Sequence, residues 1–348
     1  MNVGIIGAGK ISDTHVENYK AIGVTVLGIT DRNPEAAKTK AEKYAIPRAY
    51  DTLDALLADP EIDAVSIATP VSTHKELAIS ALRAGKHVLC EKPPAMTADD
   101  IREMIVARNV SGKVLMFGFV CRFKRRLQAL REAYQSGRLG RVIVGEAGRL
   151  ARNANPGSWF SDRRFTKGGP FFDAAIHEID ELFYILGYPK LHSVRAIVGY
   201  DNSDLSTRLS TVKQRYVSET KGDFNNDVET SVTVFAMTED GVPLILRATS
   251  ATGTVEEGPY VKLTCANGGG NIVGYNTVPL ALLTLDADGF HTESIEETAK
   301  PFEAQLAHFT DCVENGKTPI PCAEEALALM EFFDAVYRSA EEGREILL

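Results

Sequence analysis

The first 120 residues alternate short apolar runs with helical stretches, and that alternation restricts the fold of this 348-residue chain more than any other feature. Val3-Gly4-Ile5-Ile6 runs into Gly7-Ala8-Gly9, after which Ile11, His15, Tyr19 and Ile22 recur on one side of a helix. A second apolar run, Val24 to Ile29, ends at Asp31-Arg32. Asn33-Pro34 then supplies a helix cap and a proline at the first helical position, and the helix runs toward Tyr44. Ala64 to Ala68 leads to a helix from about His74 to Gly85. His87 to Cys90 leads to another that opens with Thr97 and Asp100 at capping-box spacing, and Val114 to Phe119 closes the series. Parallel strands need crossover connections and have no solvent face, so the pattern predicts a doubly wound parallel α/β sheet with helices on both sides.

In such a sheet ligands bind beyond the carboxyl ends of the strands, where the strand order reverses. Gly7-Ala8-Gly9-Lys10-Ile11-Ser12 stands at the first such place. The first glycine permits the turn, the second lets backbone approach a pyrophosphate, and the helix start offers N–H groups and a partial positive charge. Ser12 takes the place of the third glycine of the fingerprint and is small enough for close packing of helix on strand. Asp31, 22 residues past Gly9, is placed to accept hydrogen bonds from the ribose hydroxyls of an adenosine. Its charge repels a 2′-phosphate, which favours NAD. Arg32, able to stack on adenine or meet a 2′-phosphate, leaves NADP open.

After Val120 and Cys121 the regular pairing stops, and the expected domains are 1–120 and 121–348. A helix of about Phe123 to Ser136 ends at Gly137, and Val142-Ile143-Val144 begins a new sheet. Val194 to Val198, Val228 to Phe235, Pro243 to Ala248 and Tyr260 to Cys265 read as strands of a mostly antiparallel sheet in an α+β domain. The polar stretch Asp201 to Asn226 reads as a hairpin arm or a long loop. The tail, 301–348, returns to helix and is expected to pack back on the first domain.

Composition closes off other classes. With 44% hydrophobic and 24% charged residues the chain is ordinary for a globular protein, and a net charge of −9 argues against a nucleic-acid partner. The charge is uneven: from Arg122 to Lys167 there are twelve lysines and arginines against three acids, so this stretch carries +9 and the rest −18. Such a stretch reads as a solvated surface or subunit contact, or as an attractor of an anionic ligand. The five cysteines are widely spaced with no CxxC pair, which fits reduced core thiols and offers no metal cluster. The chain enters a strand at once, and no apolar run approaches the ~20 residues of a membrane span. A cytoplasmic protein with no membrane partner is the expectation.

Two constellations carry chemistry. Glu91-Lys92-Pro93 follows a strand on the crevice side of the sheet, where a lysine would lie beside the nicotinamide and the reacting oxygen. Gly168-Gly169-Pro170-Phe171-Phe172-Asp173-Ala174-Ala175-Ile176-His177 leads into apolar residues at helical spacing. The reading is one amphipathic helix over 172–186 with Asp173 and His177 one turn apart on the same face. A histidine is the side chain most easily set as a base near neutral pH, and a carboxylate beside it can orient it. Thr69, Pro70 and His74 follow a strand end, and Arg122, which follows another, is a candidate for cofactor or substrate contact. His74 reads equally as a helix-start residue. Trp159, the single tryptophan, reads as a stacking platform for a ligand or as an anchor for its loop.

The run Ala68-Thr69-Pro70-Val71-Ser72-Thr73-His74, the stretch Ala81 to Pro93, the GG-x₃-D-x₃-H element and the NGK and RSAEEG tail are similar to the glucose-fructose oxidoreductase / inositol dehydrogenase / rhizopine-catabolism family. The resemblance covers nearly the whole chain. It implies a Rossmann domain, a C-terminal domain on an open antiparallel sheet, and NAD(P)-dependent oxidation of a sugar or cyclitol hydroxyl. It also implies Lys92, Asp173 and His177 as the catalytic set, with Gly7, Gly9, Lys10, Ile11, Asp31, Arg32, Thr69, Pro70, His74, Glu91, Lys92 and Arg122 on the cofactor. Lys92, Arg122, Trp159, Asp173 and His177 would face the substrate. Lys167 and Ala175 stand where many members carry glycine. Members often form dimers or tetramers through the exposed face of the second sheet. A dinucleotide-binding regulator would dispense with the catalytic set, and a glycosidase using transient oxidation would release no net NADH.

Overall fold

The computed structural model describes residues 1–151, 158–200, 224–225, 227–250, 254–274 and 278–348. All of the 201–226 stretch except Phe224 and Asn225 lies outside the described residues, as do Asn155 to Gly157 before Trp159. Two compact units emerge: Met1–Phe123 with Lys300–Met330, and Lys124–Ala299 with Glu331–Leu348.

In the first unit, β1 (Asn2–Ile6), β2 (Thr25–Thr30), β3 (Arg48–Tyr50), β4 (Ala64–Ile67), β5 (His87–Glu91) and β6 (Leu115–Gly118) form a sheet in the order β3-β2-β1-β4-β5-β6. Every pair is parallel. The crossovers hold α1 (Lys10–Ala21), α2 (Pro34–Tyr44), α3 (Leu53–Ala58), α4 (His74–Arg83) and α5 (Ala98–Ser111). Local signals set the helix starts. Asn33 accepts from Glu35 N ahead of Pro34, and Thr97 and Asp100 close a reciprocal capping box. Val3, Ile5, Leu89 and Met116 from the sheet pack with Val16 and Tyr19 of α1 and with Leu306 and Phe309 of the helix Pro301–Asn315. The strand order reverses between β1 and β4, so the chain leaving those two strands borders the crevice.

The second unit holds α6 (Arg125–Gln135), α7 (Ile176–Leu186) and nine strands: β7 (Val142–Leu150), β8 (Leu191–Gly199), β9 (Ser231–Thr238), β10 (Pro243–Thr249), β11 (Gly258–Cys265), β12 (Gly268–Val273), β13 (Leu280–Asp286), β14 (Gly289–Ile295) and β15 (Ile346–Leu347). Their order is β14-β13-β12-β11-β7-β10-β9-β8-β15, antiparallel throughout except for β7 beside β10. Alternation along the strands gives the sheet two unlike faces. Val232, Val234, Leu244, Leu246, Val261 and Leu263 are buried on the face that carries α7, while Ile197, Phe235, Leu283, Leu285 and Phe290 point outward and are exposed.

All five cysteines are free thiols, four buried and Cys322 half-buried. Among the described residues no helix is long and apolar enough to cross a membrane.

Candidate active site

The structure brings the glycine turn, Asp31 and the loop after β4 together. Gly7 has φ +105, and a Cβ there would lie 2.5 Å from Ala68 O and 2.9 Å from Thr69 Cγ2, so only glycine fits. At Gly9 a Cβ would meet no atom within 4 Å, and no side chain caps α1. The backbone at Gly9 is thus open to close approach at the start of a helix, the place where N–H groups receive a phosphate. Ser12, where a third glycine would stand, is buried and donates to Gly9 O at 2.6 Å, which satisfies its hydroxyl within the close helix-to-strand packing. Asp31 is oriented by two backbone amides: Oδ2 accepts from Ala8 N and Oδ1 from Asn33 N, both at 2.8 Å. Lys10 and Arg32 are exposed, and Ile11 is half-buried.

The loop after β4 is tied to the loop after β5. Thr73 donates to Thr69 Oγ1 at 2.8 Å and to Pro70 O at 2.8 Å. His74, the first residue of α4, is fully buried, with Nδ1 2.8 Å from Pro93 O and Nε2 2.9 Å from Thr69 O. Burial holds its pKa below the ordinary imidazole value against the pull of those two carbonyls. Glu91 is also buried: Oε1 lies 2.8 Å from His15 Nε2, and Oε2 accepts the Lys92 amide at 3.1 Å. Burial pushes its carboxyl up, but the His15 hydrogen bond, the Lys92 charge and the Lys92 amide bring it below the usual carboxylate range. Lys92 itself is half-buried. Arg122 is fully buried, its guanidinium 2.5 Å from a Glu325 carboxylate oxygen. Of the residues read as facing a ligand, His74, Glu91 and Arg122 are thus enclosed by protein, whereas Gly9, Lys10, Lys92 and the Thr69-Pro70 pair have exposed surface.

In the second unit the catalytic-helix reading needs one correction. Instead of a single α-helix over 172–186, Pro170–Ala174 forms a π-helical turn and the α-helix begins at Ile176. Ala175 N donates to Pro170 O, five residues back, at 2.8 Å, and the regular ladder resumes with Ile179 N on Ala175 O at 3.0 Å. Asp173 lies in the wide turn and His177 in the first turn of α7; both are half-buried.

The physical cause of that turn lies beneath it. A Cβ on Gly168 would come within 1.9 Å of Tyr337 Oη and 2.8 Å of Glu229 Oε2, and one on Gly169 within 2.2 Å of Glu229 O. Tyr337 donates to Glu229 Oε1 at 3.2 Å, and Phe171 N reaches the same oxygen at 3.3 Å. The chain entering the turn is thus pressed against a buried carboxyl. Lys167 pairs with Asp334 and lies 5.7 Å from the Tyr337 ring centroid. α7 docks through a second buried group, Glu178, held bidentately by Arg149 at 3.1 and 2.5 Å. Trp159 is half-buried and stacked on Phe160, ring centroids 3.6 Å apart. The partners Glu229, Tyr337, His15 and Ser66 escaped the sequence reading. The one signal was His15, a histidine among apolar positions on the inner side of α1.

Comparison with known proteins agrees with both units. Residues 1–119 match the model of an oxidoreductase family with an NAD-binding Rossmann fold, Gfo/Idh/MocA, and residues 127–269 match that family's C-terminal domain. The chain belongs to this family. Like other Gfo/Idh/MocA proteins it pairs an NAD-binding Rossmann domain with the open sheet described above. It is 38% identical over 200 residues to D-glucoside 3-dehydrogenase of Escherichia coli (strain K12), a match covering 56% of this chain and 57% of that protein. Over 354 residues it is 27% identical to myo-inositol 2-dehydrogenase of Thermotoga maritima, covering 100% of this chain and 98% of that one. The crystal structure of aldose-aldose oxidoreductase from Caulobacter crescentus superimposes with a TM-score of 0.83 at 25% identity, covering 100% of this chain and 99% of that one.

Proposed function

We propose that this oxidoreductase moves hydride between a secondary hydroxyl carbon of a sugar or cyclitol ring and a bound nicotinamide, with Lys92, Asp173 and His177 as the catalytic set. The observation that carries the reading is the glycine turn beside an amide-oriented Asp31, in a chain that also retains Lys92, Asp173 and His177. The relatives' activities on glucosides and inositol support the substrate class. The first amides of α1 would hold the pyrophosphate and Asp31 the adenosine ribose, which favours NAD over NADP. Bound NAD supplies a hydride acceptor.

The chain's own residues handle the proton. His177 takes it from the hydroxyl oxygen, an effect typically worth ~10² to 10⁴ in rate. The Lys92 ammonium stabilises the charge developing on that oxygen. Asp173 orients His177 or accepts a hydrogen bond from a neighbouring substrate hydroxyl. Glu91, His74 and Arg122 act from beneath, holding the loops that touch the ligands. Trp159 is an anchor for its loop. The protein works as a homo-oligomer of two or four copies, in the cytoplasm.

A panel of inositols, aldoses and glycosides with NAD and with NADP, followed by absorbance of the reduced cofactor, tests the proposal. Reduction of NAD by at least one ring polyol is expected, with Lys92→Ala and His177→Ala each slowed by roughly 10² or more. Equal rates in wild type and both variants, or NAD binding with no polyol turned over, would sink it.

A further inference from the structure

A buried chain of polar groups links α1 to Lys92. Tyr19 Oη lies 3.3 Å from Ser66 Oγ, Ser66 Oγ lies 2.9 Å from His15 Nδ1, and His15 Nε2 lies 2.8 Å from Glu91 Oε1. The other Glu91 oxygen accepts the backbone N–H of Lys92 at 3.1 Å. Tyr19, Ser66 and His15 have no exposed surface, and Glu91 is 7% exposed. One proton arrangement uses every group: the tyrosine hydroxyl donates to the serine, the serine to Nδ1, and Nε2–H to the carboxylate.

Serine, histidine and glutamate in this order match a hydrolytic triad in residue type, but Ser66 Oγ is sealed within β4 and no acyl substrate reaches it. The chain ends instead at the amide of a proposed catalytic residue. The seat of the carboxylate is kept open at a cost to the neighbouring strand. A Cβ on Gly118, the last residue of β6, would lie 3.0 Å from both Glu91 Cδ and Oε1. Apolar side chains would fill this volume without the desolvation of a carboxylate, so a fully bonded polar chain here calls for a geometric reason.

We propose that His15 is a positioning residue for Lys92 that works through Glu91. Its ring holds one carboxylate oxygen so that the other receives the Lys92 amide, which fixes the main chain at the root of the lysine side chain and keeps an anion one residue from its ammonium. The helix that presents the glycine turn is thereby coupled to the lysine. The inference rests on Lys92 belonging to the catalytic set.

Two isosteric variants separate positioning from packing. The amide of His15→Asn stands about where Nδ1 meets Ser66 and leaves Glu91 without its partner, whereas that of His15→Gln reaches the place of Nε2. The readouts are the rate of Lys92 acetylation by acetic anhydride, measured by mass spectrometry against the other lysines of the same protein, and kcat and KM with a polyol turned over in the panel above. His15→Asn is expected to change the acetylation rate at least about threefold and to lower kcat about tenfold with KM for NAD held within about twofold, because small misplacements at a reacting centre are costly. His15→Gln is expected to stay near wild type in both. If the two variants move together, or His15→Asn moves neither readout, the proposal fails. Should both variants fail to fold, Glu91→Gln keeps the volume and an acceptor for the Lys92 amide while removing the anion. It should speed Lys92 acetylation, and an unchanged rate overturns the proposal. Wild-type turnover by Lys92→Ala would defeat the catalytic reading of Lys92 alone, since the acetylation comparison needs no turnover.

Discussion

Glu229, a carboxyl with no exposed surface, lies under the turn that carries Asp173. Its Oε1 receives Tyr337 and the Phe171 amide, and Oε2 is buried. Burial raises its pKa above the ordinary 4.5, against the lowering effect of those donors. Because the folded pKa lies above the unfolded one, the native state binds more protons through the window between them, so stability is lost as pH rises from about 4.5 through the folded pKa. Glu229→Gln removes that titration. In urea titrations its midpoint should gain on wild type as pH is raised from acid to neutral, and parallel pH curves for the two proteins would refute the account. Gly168 belongs to the same contact, since an added Cβ would collide with Tyr337 Oη. Gly168→Ala should cost roughly 1–3 kcal/mol by overpacking. Adding Tyr337→Phe should restore part of that loss, and strict additivity of the two changes would count against the contact.

At the scale of elements, most of the first unit was readable because its main boundaries rest on local signals. Asn33-Pro34, the Thr97/Asp100 box and the apolar runs act within a few residues, and the structure reproduces them. β13 and β14, seven residues each, were not anticipated, and other missed strands were short or glycine-rich. β3 is three residues long, and β12 opens with Gly268-Gly269-Gly270, a run whose strand propensity is poor. The fold needs those glycines: a Cβ on Gly269 would lie 2.3 Å from Leu263 O, and one on Gly270 2.3 Å from Leu130 Cδ1. The π-turn escaped for a similar reason. Its cause is remote in sequence, Glu229 58 residues from Phe171 and Tyr337 farther still, and residue spacing around Asp173 carries no trace of it. The docking of α7 was hidden too. Glu178, next to His177, is buried and its carboxyl is raised by that burial, while Arg149 on β7 pulls it down. Removing the arginine leaves a buried acid without its partner, so Arg149→Met should destabilise the second unit by about 3–5 kcal/mol in denaturant unfolding. The double change Arg149→Met with Glu178→Met should recover most of this, and a single variant as stable as wild type would contradict the bidentate contact.

For the whole molecule, the charge asymmetry of the sequence becomes largely internal pairing. Within the second unit Lys124 meets Glu181 at 3.1 Å, Arg126 meets Glu297 at 3.6 Å, Arg138 meets Glu293 at 2.9 Å, and Arg149 and Lys167 meet Glu178 and Asp334. In the first unit Arg122 meets Glu325. The basic stretch thus finds its counter-charges on α7, β14 and the C-terminal segments, which weakens the case for a steering field or a basic contact surface. The outward face of the second sheet also exposes large apolar side chains. Ile197 on β8 is 68% exposed and Phe290 on β14 61%, with Phe235, Leu283 and Leu285 exposed on the same side of the sheet. Two such groups, one on β8 and β9 and one on β13 and β14, are more than scattered surface residues need, and each side chain is worth about 1.5–3 kcal/mol if covered. A second copy offering the same face would bury both sets of apolar side chains about a two-fold axis. Light scattering of wild type should therefore give a mass at least twice the 37.9 kDa of one chain. Ile197→Glu combined with Phe235→Glu should shift the protein to single chains while its NAD affinity stays within about twofold, because neither residue lies in the cofactor unit. A wild-type monomer, or a double variant that assembles unchanged, would show that this face is not where copies meet.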